Sequence, residues 1–202
     1  MVDRLQAPSR YARGERRREE LLDAVLSIVA QRGVAAVTHR AVAAAAGVSH
    51  RLPTYYFQTK EQMLLEAFRH LAARSLERTR AAAEGVAAAG DRAGAMRAAV
   101  DAVVDAVLGS LHAERGDVAA ELTLVLEIAR EPALARDYDA WQAEVRAILG
   151  QHARALGSGD PEGDARLITA VLHGLQIELL ARPGRPRRAE LRALVSRFLH
   201  AL

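Results

Sequence analysis

Apolar side chains recur along this chain every three or four residues, and polar side chains occupy the positions between them. In residues 15–32 the apolar set is Leu21, Leu22, Val25, Leu26 and Val29. This spacing places them along one face of a helix. The same period returns over most of the remaining chain, and only six prolines interrupt it. The pattern therefore predicts an all-α protein of about nine helices.

The starts of these helices are marked by short polar side chains that can accept a bond from a free backbone N–H. Thr38, Asp91 and the dipeptide Asp160–Pro161 are signals of this kind. Thr59 is followed three residues later by Gln62, which predicts a capping box in which Gln62 bonds back to the N–H of Thr59.

Two parts of the C-terminal half are more apolar than an amphipathic helix requires. The run from Leu122 to Ile128 is apolar nearly all round, which predicts that it is buried. The helices expected at about 161–181 and 189–201 expose more apolar surface than one small bundle can cover. A patch of that size predicts a partner helix pair.

Residues 38–60 predict two short helices joined by a tight turn. The run from Ala41 to Ala46 holds five alanines and one valine, which favour a helix that another helix can approach closely. Gly47 supplies the left-handed residue that ends it. Ser49 is expected to cap the second helix, which starts at about His50 to Leu52. This is the helix-turn-helix arrangement, whose second helix enters a major groove of DNA.

The order of residues in this stretch resembles the DNA-binding domain of the TetR family of transcriptional regulators. In that family the run typically has the form G-V-S-x-G-x-x-Y-x-F-x-x-K-x-x-L. The matching residues here are Gly47, Val48, Ser49, Tyr55, Phe57, Lys60 and Leu64. The resemblance covers about residues 15–68 and implies a DNA-binding transcriptional regulator.

Three positions depart from the family pattern. Arg51 stands where the family usually has Gly, and Thr54 stands where the first of its tyrosines usually stands. Tyr56 replaces the His that precedes Phe. These changes leave the docking mode intact and bear on how individual bases are read.

Composition and the resemblance together divide the chain into three parts. We expect residues 1–14 to form a flexible basic arm, 15–68 a helix-turn-helix DNA-binding domain, and 69–202 a helical effector-binding and dimerisation domain. Residues 1–60 hold ten Lys and Arg against five acids, whereas the remainder holds 18 against 20. A basic N-terminal part beside a slightly acidic remainder favours a polyanionic partner at the basic end only.

Side chains on the second helix of the motif are expected to reach base edges. They are His50, Arg51, Thr54 and Tyr55. Arg51 is the best candidate for guanine, because its guanidinium can pair with O6 and N7 together. A second set is expected to hold DNA phosphates, namely Thr38, Arg40, Tyr56 and Lys60.

Lys60 is the only lysine of the chain and falls in the first turn of a predicted helix. A cation is electrostatically disfavoured at that place. The position makes sense when the helix N–H groups and the ammonium face one phosphate, and the resemblance implies the same role. The alternative is an ordinary surface lysine.

The resemblance also implies functions for the C-terminal part. The last two helices, 8 and 9, would form a four-helix interface in a homodimer, whose two reading helices recognise a palindromic operator in double-stranded DNA. An unknown small-molecule effector would bind between helices 5, 6, 7 and 8 and release the DNA. Polar candidates for that pocket are Glu121, Thr123, Glu127, Tyr138, Trp141, Thr169, His173 and Gln176. The same polar stripe could instead lie in the dimer interface.

Other classes of protein are excluded or disfavoured. The chain has no cysteine, so it has neither a disulfide nor a cysteine-ligated metal. It shows no uncharged apolar run of 18 residues and no secretory signal, which predicts a cytoplasmic protein without a membrane span. Its seven histidines are scattered without metal spacing, so no cofactor is expected and a helical enzyme is disfavoured. A DNA-binding regulator without an effector stays open, as does activation in place of repression.

Overall fold

The computed structural model describes residues 10–109, 115–127, 131–181 and 188–202. Within these ranges it contains nine α-helices, one short 3-10 helix at Val34–Ala36 and no strand. The α-helices are α1 (Arg10–Arg32), α2 (His39–Ala45), α3 (Arg51–Tyr56), α4 (Lys60–Ala87), α5 (Arg92–Gly109), α6 (Arg115–Glu127), α7 (Pro132–Ala155), α8 (Pro161–Ala181) and α9 (Arg188–Leu199). The prediction of an all-α fold is confirmed.

Two apolar cores hold the helices together. The first surrounds the fully buried side chains of Phe57 and Met63 and continues from α1–α4 to Leu124 of α6 and Trp141 of α7. The second lies between α5, α8 and α9 around Val104. We call residues 10–68 the head and the described residues after 68 the body. Because the first core crosses from the head into the body, α6 packs along α1 and α7 packs along α4.

α1 begins at Arg10, so the predicted flexible arm of residues 1–14 is wrong for its last five residues. The hydroxyl of Tyr56 donates to the carbonyl oxygen of Gly14 at 3.2 Å. This bond fixes the first turns of α1 against the end of α3. Residues 1–9, the rest of the predicted arm, lie outside the described residues.

Four predicted N-caps are confirmed by side-chain bonds to a backbone N–H three residues later. Thr38 and Thr59 each accept such a bond at 3.1 Å. Asp91 accepts one at 2.6 Å and Asp160 one at 3.0 Å. The starts of α2, α4, α5 and α8 therefore follow from local sequence.

Two details of the predicted caps are wrong. Gln62 returns its bond to the N–H of Gln58 at 2.7 Å, one residue before the expected partner. Ser49 does not cap α3, because His50 already has helical dihedral angles (φ −60°, ψ −18°) and is itself the N-cap residue, without a side-chain capping bond. The carbonyl oxygen of Ser49 closes the first turn by accepting from Leu52 at 3.0 Å.

α6 is less buried than predicted. Leu124 is fully buried, whereas Leu122 and Val125 are half-buried and Leu126 is 77% exposed. The helix packs mainly along α1, with smaller contacts to α4 and α8, and its opposite face is left largely uncovered by the described residues. The prediction that the whole run is buried is therefore wrong for the described residues, which exclude Ile128.

None of the described helices is long and apolar enough to cross a membrane. The described part of the chain also contains no group of three or more His, Asp or Glu side chains arranged to hold a metal ion.

Candidate nucleic-acid interface and ligand cavity

The turn between α2 and α3 has a defined hydrogen-bond pattern. The N–H of Gly47 bonds to the carbonyl oxygen of Ala44 at 3.3 Å, and that of Val48 to Ala43 at 3.0 Å. Gly47 has φ 64°, the left-handed conformation that this helix ending requires and that a side chain would strain. The predicted glycine turn is confirmed, and its two bonds fix the direction in which the chain enters α3.

α3 has only six residues, too few to form a stable helix alone. It is held in place by the buried side chains of Pro53 and of Phe57, which directly follows the helix. Pro53 is the third helical residue, a position where the missing N–H costs little. The Nε2–H of His39 donates to the carbonyl oxygen of Phe57 at 2.9 Å. Packing and this bond hold one side of α3 against the rest of the head, and the other side faces outward.

The four residues predicted to read bases lie on that outward side. His50, Arg51, Thr54 and Tyr55 are all exposed. Their spacing of i, i+1, i+4 and i+5 places them on one helical face. The side chain of Tyr55 is 81% exposed, and its ring meets Tyr56 edge-on with 5.1 Å between centroids. An aromatic ring fixed in this way offers an apolar surface beside the polar groups of its neighbours.

The four residues predicted to hold phosphates differ in exposure and in whether their polar groups already have hydrogen-bond partners. Arg40 is exposed in the first turn of α2, and Lys60 is half-buried as the first residue of α4. The Thr38 hydroxyl serves as the α2 cap through its oxygen. Tyr56 is the least free, because its hydroxyl hydrogen already bonds to the backbone of α1. Its phosphate role stays a prediction that competes with this bond.

The start of α4 favours a negative charge. The pKa of Glu61 lies below its ordinary value, first because of the hydrogen bond from its own backbone N–H and then because of the Thr59 hydroxyl and the Lys60 ammonium. A helix N-terminus stabilises anions through its unpaired N–H groups. The same groups can meet a DNA phosphate beside Lys60.

A chain of ion pairs joins the head to α6. The carboxylate of Asp23 on α1 accepts from Arg74 on α4 at 2.9 Å, and the second terminal nitrogen of Arg74 donates to Asp117 on α6 at 2.6 Å. His70 lies 3.0 Å from Asp23, and Arg78 lies 3.7 Å from Asp117. Arg74 therefore bridges an acid of the head and an acid of the body.

A cavity of about 1140 Å³ lies in the body between α4, α5, α7 and α8. α6 contributes Val118 and Glu121 to its wall, and the chain at the end of α9 contributes Leu199 and His200. The prediction placed a pocket between helices 5, 6, 7 and 8. The cavity differs from it by having α4 as a full wall and by reaching α9.

Five of the eight predicted pocket residues line this cavity. They are Glu121, Trp141, Thr169, His173 and Gln176. Thr123, Glu127 and Tyr138 are not part of the lining. The Thr123 hydroxyl bonds to the backbone of its own helix at 2.7 Å, and Glu127 is the last residue of α6.

Tyr138 supports the cavity wall from behind. Its ring packs against Phe68 and Trp141, with 6.4 Å and 5.7 Å between centroids. Its hydroxyl oxygen accepts from Nε2 of Gln142 at 3.0 Å. Burial raises the pKa of the Tyr138 phenol, and the bond from Gln142 opposes this in part. Tyr138 thus stays neutral and fixes the position of Trp141.

Polar groups from three helices contribute to the wall of the cavity. Glu121 of α6 is 8% exposed, and its carboxylate lies 3.2 Å from Nε2 of His173 on α8. Trp141 of α7 is 6% exposed, and its indole N–H has no hydrogen-bond partner among the described residues. The buried amide of Gln176 also belongs to the wall. The mostly apolar wall therefore includes a buried carboxylate and a buried N–H donor that has no partner among the described residues.

Sequence reasoning missed several polar residues of the wall, among them Arg78, Gln142, His152 and Asp164. For His152 a signal existed, because it follows Trp141 by 11 residues, which is three helical turns. For Arg78 there was none. A charged position on α4 indicates a solvated face until α5 and α7 are known to cover it.

Large apolar side chains are exposed on the last two helices. Leu167 and Ile177 of α8 are 50% and 52% exposed, and Leu194 of α9 is 41% exposed. Single exposed apolar residues are ordinary, but several on adjoining helices favour contact with a partner.

Two family models match the chain. Residues 21–67 match a model described as bacterial regulatory proteins, tetR family, and residues 94–201 match a tetracyclin repressor-like C-terminal domain. The first match covers the turn motif. The second covers most of the body, with α6 to α9 in full and all but the first two residues of α5.

Individual proteins agree with these matches. The HTH-type transcriptional regulator BetI of Rhizobium meliloti (strain 1021) is 44% identical over 55 residues, which are 27% of this chain and 27% of BetI. The chain thus spans about a quarter of the length of the BetI relatives it matches.

Solved structures extend the likeness to the body. A TetR-family member from Streptomyces coelicolor A3 (SCO1917) superposes with a TM-score of 0.69 at 27% identity, over 90% of this chain and 96% of that one. The multidrug binding protein EbrR, solved in complex with ethidium, superposes with a TM-score of 0.62 at 26% identity, over 90% of this chain and 96% of EbrR. EbrR was also solved in complex with imidazole.

Proposed function

The chain belongs to the TetR family of bacterial regulatory proteins, and we propose that it is a repressor that leaves its operator when a small molecule binds in the body. Family membership makes it a DNA-binding transcriptional regulator and not an enzyme. One observation carries the proposal. Trp141 lines the cavity and also belongs to the apolar core that packs against α3, so a ligand that moves Trp141 acts on the core of the head. A protein that acts on the chromosome in this way works in the cytoplasm.

DNA binding is assigned to the outward face of α3. Arg51 reads guanine, and Tyr55 offers its ring to thymine methyl groups. His50 and Thr54 complete the base contacts. Arg40 and Lys60 hold phosphates on either side of α3, and these contacts set its position in the groove. The resulting unit is small and reads only a few base pairs.

A homodimer supplies the second reading helix. Exposed Leu167, Ile177 and Leu194 support an interface made by α8 and α9 with their copies. The two-fold axis of the dimer relates the two reading helices, so together they bind a palindromic site. The centres of its two half-sites are about 34 Å or a multiple apart.

The cavity is assigned to a small-molecule effector. A space of about 1140 Å³ slightly exceeds the range of about 300–1,000 Å³ that is usual for ligand pockets in proteins. Its mostly apolar wall with a few polar groups is typical of such pockets. The relative EbrR supports the assignment, because it was solved with small molecules bound.

Release requires that the effector prefer a conformation in which the two heads no longer fit the operator. α6 provides the connection, because it lines the cavity through Glu121 and packs along α1. Its Asp117 bonds to Arg74, which also bonds to Asp23 of the head. A shift of α6 on ligand binding therefore acts on the head through charged and apolar contacts together.

A regulator without an effector is the second candidate. A body without an internal cavity would favour that function. The volume between α4, α5, α7 and α8 counts against it.

Selection of genomic DNA fragments by the purified protein, followed by footprinting, tests the DNA part of this proposal. We expect a protected palindrome whose two halves are equally contacted. Uniform and strongly salt-sensitive binding without an enriched site would contradict specific reading by α3.

A screen for compounds that raise the thermal unfolding midpoint then tests the effector part. Each binder is added to the protein–operator complex, and release is followed by fluorescence anisotropy of labelled DNA. We expect binders to weaken operator affinity at least tenfold, a coupling in the usual range. Binders that leave operator affinity unchanged would favour the regulator without an effector.

A further inference from the structure

Three exposed arginines lie close together near the start of α1. They are Arg13, Arg16 and Arg17, and their spacing of i, i+3 and i+4 makes them neighbours on the surface of the helix. Arg17 pairs with Glu20 at 2.6 Å. Arg13 and Arg16 form no ion pair with any described residue. We call these three residues the arginine patch, and it presents two positive charges without an acidic partner.

The arginine patch does not stabilise the helix that carries it. A cation in the first turn, where Arg13 lies, is disfavoured by the helix dipole, and like charges three or four residues apart repel each other. The first turn of α1 has no acidic side chain that would offset these charges. A negatively charged partner from outside the chain would give the arginines a favourable contact that α1 itself does not supply.

Two ion pairs between α1 and α4 fix the register of these helices. Arg18 bonds to Glu66 at 2.6 Å, and Asp23 bonds to Arg74 at 2.9 Å. The partners on α4 lie 48 and 51 residues further along the chain, so the two helices run in the same direction. By the same offset, Arg13 lies level with the start of α4. The arginine patch is therefore at the end of the head where α4 is assigned to a DNA phosphate.

Tyr56 ties the start of α1 to the reading helix. It is the last residue of α3, and its hydroxyl donates to the carbonyl oxygen of Gly14 at 3.2 Å. Gly14 directly follows Arg13, and the exposed Tyr55 directly precedes Tyr56. A hydroxyl has a single hydrogen, so Tyr56 cannot keep this bond and also donate to a phosphate. The bond holds the arginine patch beside the end of the base-reading face.

We propose that Arg13 and Arg16 bind phosphates of the DNA backbone, and that Tyr56 positions them through Gly14 instead of contacting a phosphate itself. The proposal rests on the assignment of DNA binding to the outward face of α3 and to Lys60. It adds a contact from α1 at the level where α4 supplies another. Because phosphates are the same in every sequence, these arginines supply affinity and orientation but no base preference.

The test measures how salt changes the affinity of the purified protein for labelled DNA. Anisotropy titrations at several salt concentrations use two duplexes of equal length, the selected operator and a scrambled sequence. Arg13→Gln and Arg16→Gln should each weaken binding to both duplexes by the same factor, about threefold, and reduce the salt slope by about 1 for each bound head. The scrambled duplex keeps this result independent of whether α3 reads a specific site.

Arg32→Gln is the matched control. Arg32 is the last residue of α1 and is also exposed, and it lies about 28 Å further along the helix than Arg13. Its replacement removes the same charge at a distance that salt screens, so affinity and salt slope should stay nearly unchanged. Thermal unfolding separates binding from structure. Arg13→Gln should keep or raise the unfolding midpoint, because it removes a cation from a helix N-terminus.

Tyr56→Phe tests the positioning role. The change removes only the hydroxyl and keeps the ring that contacts Tyr55 and Phe57. We expect it to weaken DNA binding by about twofold or more in the parent protein, because the start of α1 is then no longer held. In a protein that already carries Arg13→Gln and Arg16→Gln, the same change should have no further effect on DNA binding.

Three results would overturn the proposal and leave reading by α3 intact. Affinities and salt slopes of the Arg13 and Arg16 variants that equal those of Arg32→Gln would show that the patch does not contact DNA. A lower unfolding midpoint alongside the lost affinity would make the arginines structural. A loss for Tyr56→Phe that adds to the losses of the arginine variants would make Tyr56 a direct phosphate contact. Equal affinity of the parent protein for operator and scrambled DNA would instead contradict the proposed function.

Discussion

The head and the body are built from helices of similar kind but differ in how completely they are filled. In the head, Phe57 and Met63 are fully buried, and short helices are locked by caps and a glycine turn. In the body, a cavity of about 1140 Å³ separates α4, α5, α7 and α8, and Leu126 is left exposed. Dense packing suits a surface that must keep one shape against DNA, whereas an unfilled interior suits a part that changes on ligand binding.

The largest expected effect is on stability, and it tests the difference in packing between head and body. Phe57→Ala should lower the free energy of unfolding by about 3–5 kcal/mol, because it empties the centre of the head. Leu126→Ala is the matched change in the body and should cost less than about 0.5 kcal/mol. Urea unfolding followed by circular dichroism measures both. A cost above about 2 kcal/mol for Leu126→Ala would mean that a second copy of the chain covers this residue.

The next effect concerns the two kinds of DNA contact. Arg51→Ala should cost about 1–3 kcal/mol on the preferred operator and relax one base position. Lys60→Ala should weaken binding to all sequences alike and reduce the salt slope by about 1. Anisotropy titrations with operator and scrambled DNA at several salt concentrations separate the two. A selective change of base preference in Lys60→Ala would show that the phosphate assignment is wrong.

A smaller effect is expected where head and body meet. Asp117→Asn removes the charge that holds Arg74 and Arg78 to α6, and it should reduce the coupling between ligand and DNA by about 0.5–2 kcal/mol. Ligand affinity should stay nearly unchanged. Glu144→Gln is the control, since it breaks an exposed pair between α4 and α7. Operator release by a bound ligand, compared among the three proteins, gives the result. Equal coupling in all three would remove Asp117 from the connection.

The smallest effect compares the caps. Thr59→Ala and Asp91→Ala each remove one bond to a backbone N–H at a helix start, and each should cost about 0.5–1 kcal/mol of stability. Only the first should also weaken DNA binding, because Thr59 precedes Lys60 at the interface. Equal DNA affinity in both variants would mean that the start of α4 contributes nothing to the contact.

The head could be predicted from sequence because its signals are local. The Thr38 and Thr59 caps and the turn at Gly47 each depend on residues within a few positions, and all three are observed. The errors there are of two kinds. The bond of Gln62 and the cap residue of α3 each lie one residue away from the predicted place, and one contact is long-range. The Tyr56 hydroxyl bonds to the carbonyl oxygen of Gly14, 42 residues earlier in the chain, a contact that no local pattern indicates.

The cavity wall and the exposed face of the body could not be predicted from sequence, because they depend on which helices pack against each other. Arg78 belongs to the cavity wall only because α5 and α7 lie against α4. Leu126 is exposed because no helix of the described part of the chain covers the face it occupies. Periodicity predicts that a helix has an apolar side, but it does not say what that side packs against.

Lys60 provides a single side-chain site for chemical labelling through an amine. Every other strongly basic side chain is arginine, so an amine-directed reagent finds one side-chain target, at the start of α4 beside the reading helix. A fluorophore attached there would report on the proposed DNA-binding surface without any engineered residue. Acylation of the same nitrogen would remove one positive charge from the proposed phosphate contact, and its reactivity with and without operator would test that contact directly.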